Sequence, residues 1–194
     1  MQYPIDLRFK LLTFAQRITA TDASGQPLLF IKQKMFKLKE KVHIYSDAGL
    51  TREIFQISAD RVIDFSANYH FTDPQGTDWG SVRRRGMRSF WSAHYEVMQD
   101  GVVDMTISEE SPLKKLLESL LEGIPVVGFV AVMLLNPSYI VCRPDGTRLL
   151  RLTKKPAVFE GKFVLEKLSE MPEDDELRSL LALIMLVLLE RKRG

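Results

Sequence analysis

Short segments with alternating apolar and polar residues recur along most of the chain, and many of their side chains are β-branched or aromatic. Between successive segments an Asp stands one to three positions before a Gly. Asp bonds its own following backbone and Gly adopts positive φ, so such pairs favour tight reversals between antiparallel strands. The five pairs are Asp22 and Gly25, Asp47 and Gly49, Asp73 and Gly76, Asp100 and Gly101, and Asp145 and Gly146.

This pattern predicts five β-hairpins and two further strands, which is about twelve strands in total. A sheet of that width curls or closes to remove its exposed edges, so we expect a mainly β protein folded as a closed antiparallel barrel. The hairpins are predicted over residues 14–34, 42–58, 65–84, 90–108 and 138–153, and the further strands over 4–12 and 157–167.

The C-terminal part of the chain predicts a helix that is apolar on every side. Residues 180–189 are all apolar, four acidic residues precede them at 173–176, and Arg191-Lys-Arg follows. Ten helical residues are about 15 Å long, roughly half the hydrocarbon thickness of a bilayer. The alternatives are burial in the protein or insertion into a membrane or partner, and the short length favours burial. A barrel of twelve strands is too wide to be filled by its own side chains, so we predict that it encloses this helix.

A second, amphipathic helix is predicted near residues 111–122. Ser111 and Pro112 suit a helix start, and Gly123 suits its end. Leucines recur between them at helical spacing, and they are Leu113, Leu116, Leu117, Leu120 and Leu121. This helix is a candidate surface for a protein partner or for self-association.

Composition narrows the classes of function. The chain has 27 Lys plus Arg and 25 Asp plus Glu, a formal charge of +2, and this even balance predicts no nucleic-acid partner. The single cysteine, Cys142, excludes an internal disulfide and favours a reducing compartment. No phosphate-binding loop, dinucleotide fingerprint, nucleophile elbow or metal-binding histidine spacing occurs, so we expect a protein that is not an enzyme and holds no cofactor or metal.

Two segments resemble the LURP-one-related proteins. The first covers residues 28–50, from Leu28-Leu-Phe-Ile-Lys-Gln-Lys to Ser46-Asp-Ala-Gly. The second covers residues 79–97 and contains Gly80-Ser-Val-Arg, Gly86, Ser89-Phe-Trp and Tyr95-Glu-Val. The LURP-one-related proteins share their fold with the phospholipid scramblases and the Tubby C-terminal domain. The resemblance therefore implies a Tubby C-terminal-like domain over residues 1–194: a twelve-stranded barrel around a hydrophobic C-terminal helix.

The resemblance also implies a class of ligand. Tubby domains bind phosphoinositide headgroups through basic residues of a strand that aligns loosely with Lys32 and Lys34. Scramblases are associated with calcium and bilayers, but usually carry long Pro-rich and Cys-rich N-terminal regions that this sequence lacks. Many LURP-one-related proteins have no established biochemical activity.

Basic residues form two clusters on the predicted strands. Lys32 and Lys34 share one face of a strand, and Arg83 and Arg85 share one face of another, with Arg88 close behind. Ammonium and guanidinium groups at that spacing suit the binding of a phosphate or an anionic lipid headgroup. The alternative is that both clusters are solvated outer faces of the barrel, where lysine also prevents edge pairing.

Two hypotheses follow from these features. The first is a non-enzymatic barrel that binds anionic phospholipid headgroups through Lys32, Lys34, Arg83, Arg85 and Arg88, located in the cytoplasm or peripherally at a membrane. The second is a protein-interaction scaffold that uses the amphipathic helix. An enzyme with a ligand cavity inside the barrel is the least favoured, because the C-terminal helix would occupy that cavity.

Overall fold

The structure is a computed structural model that describes residues 1–10, 15–34, 41–61, 67–85, 94–110, 137–157 and 160–190. These residues form twelve strands and one helix. The elements are β1 (Ile5–Lys10), β2 (Ala15–Thr21), β3 (Pro27–Lys34), β4 (Val42–Tyr45), β5 (Glu53–Ala59), β6 (Asn68–Thr72), β7 (Asp78–Arg84), β8 (His94–Gln99), β9 (Val102–Glu109), β10 (Ser138–Cys142), β11 (Arg148–Lys155), β12 (Glu160–Lys167) and α1 (Glu173–Glu190).

The twelve strands form a closed antiparallel barrel in which each strand pairs with its neighbours in the sequence. Pairing of β1 with β12, in which Ile5 lies opposite Leu165, closes the barrel. All five predicted hairpins and both further strands are confirmed, and so is the predicted fold class. The second predicted helix, near residues 111–122, lies outside the described residues.

The turns follow from the chemistry of their aspartates. Asp22 Oδ1 accepts hydrogen bonds from the backbone N–H groups of Ser24 and Gln26, both at 2.9 Å. Asp47 accepts from Thr51 and Arg52 in the same way, at 3.1 and 2.7 Å. Backbone hydrogen bonding, chiefly from Arg52, lowers the pKa of Asp47. Each of these turns therefore keeps an ionised carboxylate at neutral pH.

The core is a single cluster of buried side chains to which all twelve strands and α1 contribute. The nine consecutive residues from Leu180 to Leu188 are each at most 2% exposed. Consecutive residues of a helix point in all directions, so α1 is surrounded by the barrel. The prediction that the barrel encloses this helix is confirmed. Within the described part of the chain, no helix has the length and apolar character that crossing a membrane requires.

A buried arginine fixes the first turns of α1 to the barrel wall. Arg178 is 2% exposed, and its Nη1 lies 2.7 Å from Asp104 Oδ2 on β9 and 3.1 Å from Asp175 Oδ1. Its Nε donates to the backbone carbonyl of Trp79 at 3.0 Å. Burial raises the pKa of Asp104, and Arg178 opposes that rise. This ion pair fixes the depth of α1 in the barrel, because an axial shift of the helix would move the charge of Arg178 away from Asp104 and into an apolar interior.

A glycine makes room for this arginine. Gly80 has φ of +104°, and a Cβ built on it would lie 2.4 Å from the carbonyl oxygen of Met98 and 2.9 Å from Cδ of Arg178. The first contact is with backbone, so it cannot be relieved by a side-chain rotation. Both the backbone conformation and the space at this position therefore require glycine.

We predict that Gly80→Ala destabilises the protein by about 3 kcal/mol or more, from backbone strain and the clash with Met98. Gly76→Ala is the matched control, since Gly76 also has positive φ, +86°, but its added Cβ would meet nothing within 4 Å. The control is expected to lose only about 1–2 kcal/mol. Urea unfolding of both variants measures this, and equal losses would contradict the close packing at Gly80.

We predict that Arg178→Leu lowers the free energy of unfolding by about 3–5 kcal/mol, because it leaves Asp104 as an unpaired, partly buried charge. The double variant Arg178→Leu with Asp104→Asn removes that charge and is expected to recover part of the loss. Urea unfolding of the two variants measures the difference. A double variant no more stable than Arg178→Leu alone would show that the ion pair does not anchor α1.

Candidate anion-binding surface

The barrel has two ends of different character. Consecutive strands run in opposite directions, so all five Asp–Gly turns and the start of α1 lie at one end, here called the turn end. The last residues of β1, β3, β5, β7, β9 and β11 lie at the opposite end, here called the far end. Each element contributes to both ends, so the position of a charge along its strand decides which end it occupies.

Charge is segregated between these ends. Each turn places an aspartate at the turn end, and the first turn of α1 adds Glu173, Asp174, Asp175 and Glu176. For the far end we count every described charged side chain within three positions of the strand ends that lie there. This gives eleven cations and four carboxylates. The cations are Arg8, Arg17, Lys32, Lys41, Arg61, Arg83, Arg84, Arg85, Lys154, Lys155 and Lys162, and the carboxylates are Asp60, Glu96, Glu109 and Glu110. The formal charge of +2 therefore conceals an axial separation of charge.

Lys32, the first predicted site residue, is exposed on the outer face of β3. The neighbouring Ile31 is 1% exposed and faces the core. In the register of the sheet, Lys32 lies directly opposite Arg17 on β2 and His43 on β4. Lys34 ends β3 at the far end, and its side chain lies outside the described part of the structure.

The structure adds Arg17 to this cluster. Arg17 is exposed, and its outward direction is fixed by Ile18, which is 2% exposed. Directly opposed residues of an antiparallel pair have Cβ atoms roughly 5 Å apart, so two cations face each other here. Among the described residues, neither Arg17 nor Lys32 has a carboxylate partner. His43, which lies opposite Lys32, contacts Glu53 instead, with 3.0 Å between Nδ1 and Oε1.

The second predicted cluster is partly neutralised. Arg83 Nε lies 2.8 Å from Glu96 Oε2, and Arg85 Nε lies 3.5 Å from Glu96 Oε1. The side chain of Glu96 is 10% exposed, whereas those of Arg83 and Arg85 are 46% and 69% exposed. One largely buried carboxylate thus holds two guanidinium groups whose outer edges still face solvent. Arg88 lies outside the described residues.

The two clusters do not converge on a single small ligand. β3 and β7 are separated by three strands, which places their outer faces about 19 Å apart along the wall, at about 4.8 Å per strand. Lys32 and Arg83 therefore form separate basic patches of the far end. A surface larger than one headgroup is needed to contact both.

The cysteine and the histidines of the described residues lie in surroundings that favour a structural role. Burial raises the pKa of the half-buried Cys142 thiol, which disfavours the reactive thiolate. His43 contacts Glu53, and His70 Nε2 lies 3.3 Å from Asn68 Nδ2. In the described ranges, no three His, Cys, Asp or Glu side chains are placed to hold a metal ion.

The closed barrel of twelve antiparallel strands filled by a hydrophobic C-terminal helix is the architecture that the resemblance to the LURP-one-related proteins implies. Residues 28–119, just under half of the chain, match the family model of the LURP-one-related proteins. The matched segment begins in β3 and includes β4 to β9, so the resemblance seen in the sequence is confirmed there. Comparisons with curated proteins and with solved structures find no significant match.

Proposed function

We propose that this barrel is a non-enzymatic module that binds anionic phospholipid headgroups peripherally at a membrane surface. The observation that carries the proposal is the opposed pair of exposed cations, Arg17 and Lys32, which lack a carboxylate partner among the described residues. Like charges directly opposite each other destabilise a sheet, so an anion bound between them relieves a cost that the free protein bears. Arg83 and Arg85 form a second basic patch at the far end, and the sequence predicts Lys34 and Arg88 as further contacts.

The energetics suit a reversible association. A cation near an anionic lipid surface contributes about 1 kcal/mol, and the attraction decays over the Debye length, about 8 Å at physiological salt. The few exposed cations of the two patches therefore supply modest affinity that high salt removes. The assignment as non-enzymatic is supported by the interior of the barrel, which the side chains of α1 occupy.

A protein-interaction scaffold is the second candidate function. It depends on the leucines of the amphipathic segment, Leu113 to Leu121, which lies outside the described residues. Binding to lipid is favoured because Arg17 and Lys32 are exposed and lie directly opposite each other in the sheet.

We predict that Arg17→Gln and Lys32→Gln each weaken binding to vesicles of phosphatidylcholine and phosphatidylserine by about fivefold, the equivalent of one lost cation. Each variant is also expected to unfold at a slightly higher urea concentration, because the repulsion across β2 and β3 is relieved. Arg52→Gln is the control, since Arg52 is an exposed cation of the turn end. Co-sedimentation measures the binding. Equal weakening by all three variants would contradict a role for this pair.

We predict that Glu96→Gln strengthens vesicle binding, because it releases the guanidinium groups of Arg83 and Arg85 from their shared carboxylate. Glu170→Gln removes the same charge from a fully solvated side chain at the turn end and is expected to leave binding unchanged. Co-sedimentation at a fixed low salt concentration compares the two. Unchanged binding by Glu96→Gln would show that the second cluster takes no part.

A further inference from the structure

We infer that the outer wall of the barrel carries a second anion-binding site, formed by Arg8, Lys162 and Lys155 at the seam where β1 pairs with β12. This site and the pair of Arg17 and Lys32 contact the headgroups of the same anionic bilayer. The inference rests on the proposed function and names the side of the barrel that carries the binding. The three seam residues are not among the site residues that the sequence predicts.

The three seam residues form one row across three adjacent strands. Arg8 on β1 lies directly opposite Lys162 on β12, and Lys162 lies directly opposite Lys155 on β11. Directly opposed side chains project from the same face of a sheet, with Cβ atoms roughly 5 Å apart. That face is the outer one, because Leu7 and Phe163 alternate with this row and are buried in the core. The row therefore directs three cations away from the barrel interior.

One carboxylate offsets part of this charge. Asp6 Oδ2 lies 3.0 Å from Nη2 of Arg8 and 3.5 Å from Nζ of Lys162, whose side chains stay 56% and 36% exposed. Lys155 is exposed and has no carboxylate partner among the described residues. Three cations and one carboxylate leave two positive charges of the described row uncompensated. Like charges directly opposite each other destabilise a sheet, so bound anions would stabilise this part of the wall.

The seam row and the pair of Arg17 and Lys32 are contiguous. Arg8 lies opposite Thr19 on β2, and Arg17 is two positions before Thr19 and therefore on the same outer face. Such diagonal neighbours lie roughly 7–8 Å apart. Exposed or partly exposed cations thus occupy five consecutive strands of the wall, β11, β12, β1, β2 and β3. We call these residues the seam face, and they are Lys155, Lys162, Arg8, Arg17 and Lys32.

An anionic bilayer fits the seam face better than a single anion does. The five cations span four strand spacings, about 19 Å along the wall at about 4.8 Å per strand. One phosphate contacts only neighbouring members of this set, whereas a bilayer offers many headgroups. The central strand is β1, and the two outermost cations are Lys155 and Lys32. Their long, flexible side chains can lean along the wall toward a surface that touches β1.

The second predicted cluster lies on the opposite side of the barrel. β7, which carries Arg83, is six strands from β1 in a barrel of twelve. Arg83 and Arg85 share Glu96, whereas the five cations of the seam face contact one described carboxylate, Asp6. The seam face therefore has the larger uncompensated charge and is the preferred side for binding. The variant Glu96→Gln adds an alternative contact on the opposite side and leaves the seam face as it is.

Glutamine variants test whether the two rows act in one contact. Lys155→Gln and Lys32→Gln are each expected to weaken binding to vesicles of phosphatidylcholine and phosphatidylserine about fivefold, and the double variant about 25-fold. The losses multiply because both cations face the same bilayer. Arg61→Gln is the matched control, since Arg61 is an exposed far-end cation that follows β5, four strands from β1. This control is expected to bind like the wild-type protein.

Co-sedimentation at a fixed low salt concentration measures the binding, and the wild-type protein is measured with the same vesicles. Failure of the wild-type protein to bind would reject the proposed function itself. Wild-type binding by Lys155→Gln, together with a fivefold loss in Lys32→Gln, would overturn the seam site and leave lipid binding intact. Losses below about twofold in each single variant, with a much larger loss in the double variant, would show two alternative orientations and overturn the shared contact.

Competition identifies the kind of anion. Inorganic phosphate and duplex RNA are each added to the vesicle-bound protein at the same phosphate concentration as the phosphatidylserine. Binding to a bilayer predicts that the protein stays with the vesicles in both cases. Release by inorganic phosphate would assign the seam row to a free anion, and release by RNA alone would assign the seam face to a nucleic acid. Either result would overturn the inference.

Discussion

Burial of α1 inside the barrel is the interaction on which the rest of the structure depends. A helix without a polar face has no stable position in water, and a closed sheet of twelve strands has no means of filling its own interior. The helix fills the interior of the barrel, and the barrel shields the helix from water. The nine residues from Leu180 to Leu188 contact a core to which every strand contributes. The ion pair of Arg178 with Asp104 then selects one depth for the helix among many that would bury similar apolar area.

The same arrangement explains where the charges lie. An up-and-down barrel sends every second connection to the same end, so a turn chemistry that uses aspartate concentrates carboxylates at that end. Of the cations near the opposite strand ends, Arg17, Lys32, Lys41 and Lys155 have no carboxylate partner among the described residues. The axial charge separation is therefore a consequence of topology combined with turn chemistry, and it requires no net charge on the protein.

Much of the fold could be predicted because its signals are local. Asp–Gly pairs specify reversals within a few residues, and a run of apolar residues at 180–189 is visible without any knowledge of its neighbours. The candidate site was harder to predict from the sequence, because it depends on which strands pair and in which register. That Arg17 faces Lys32 follows from the pairing of β2 with β3, and that Glu96 neutralises Arg83 follows from the pairing of β7 with β8. The formal charge of +2 also gave no sign of the cations at the far end, because a net charge carries no information about where the charges lie. In the sequence Arg178 is only a charged residue beside an apolar run, and its partners on the barrel, Asp104 and Trp79, lie more than seventy residues away.

Amide hydrogen exchange of α1 tests the central claim most directly. A helix enclosed by the barrel exchanges only when the barrel opens, so the amides of residues 180–188 are predicted to be as strongly protected as the slowest strand amides and to share their dependence on denaturant. Exchange of these amides at low protection, by local fraying that is independent of denaturant while the strands stay protected, would contradict the enclosed helix.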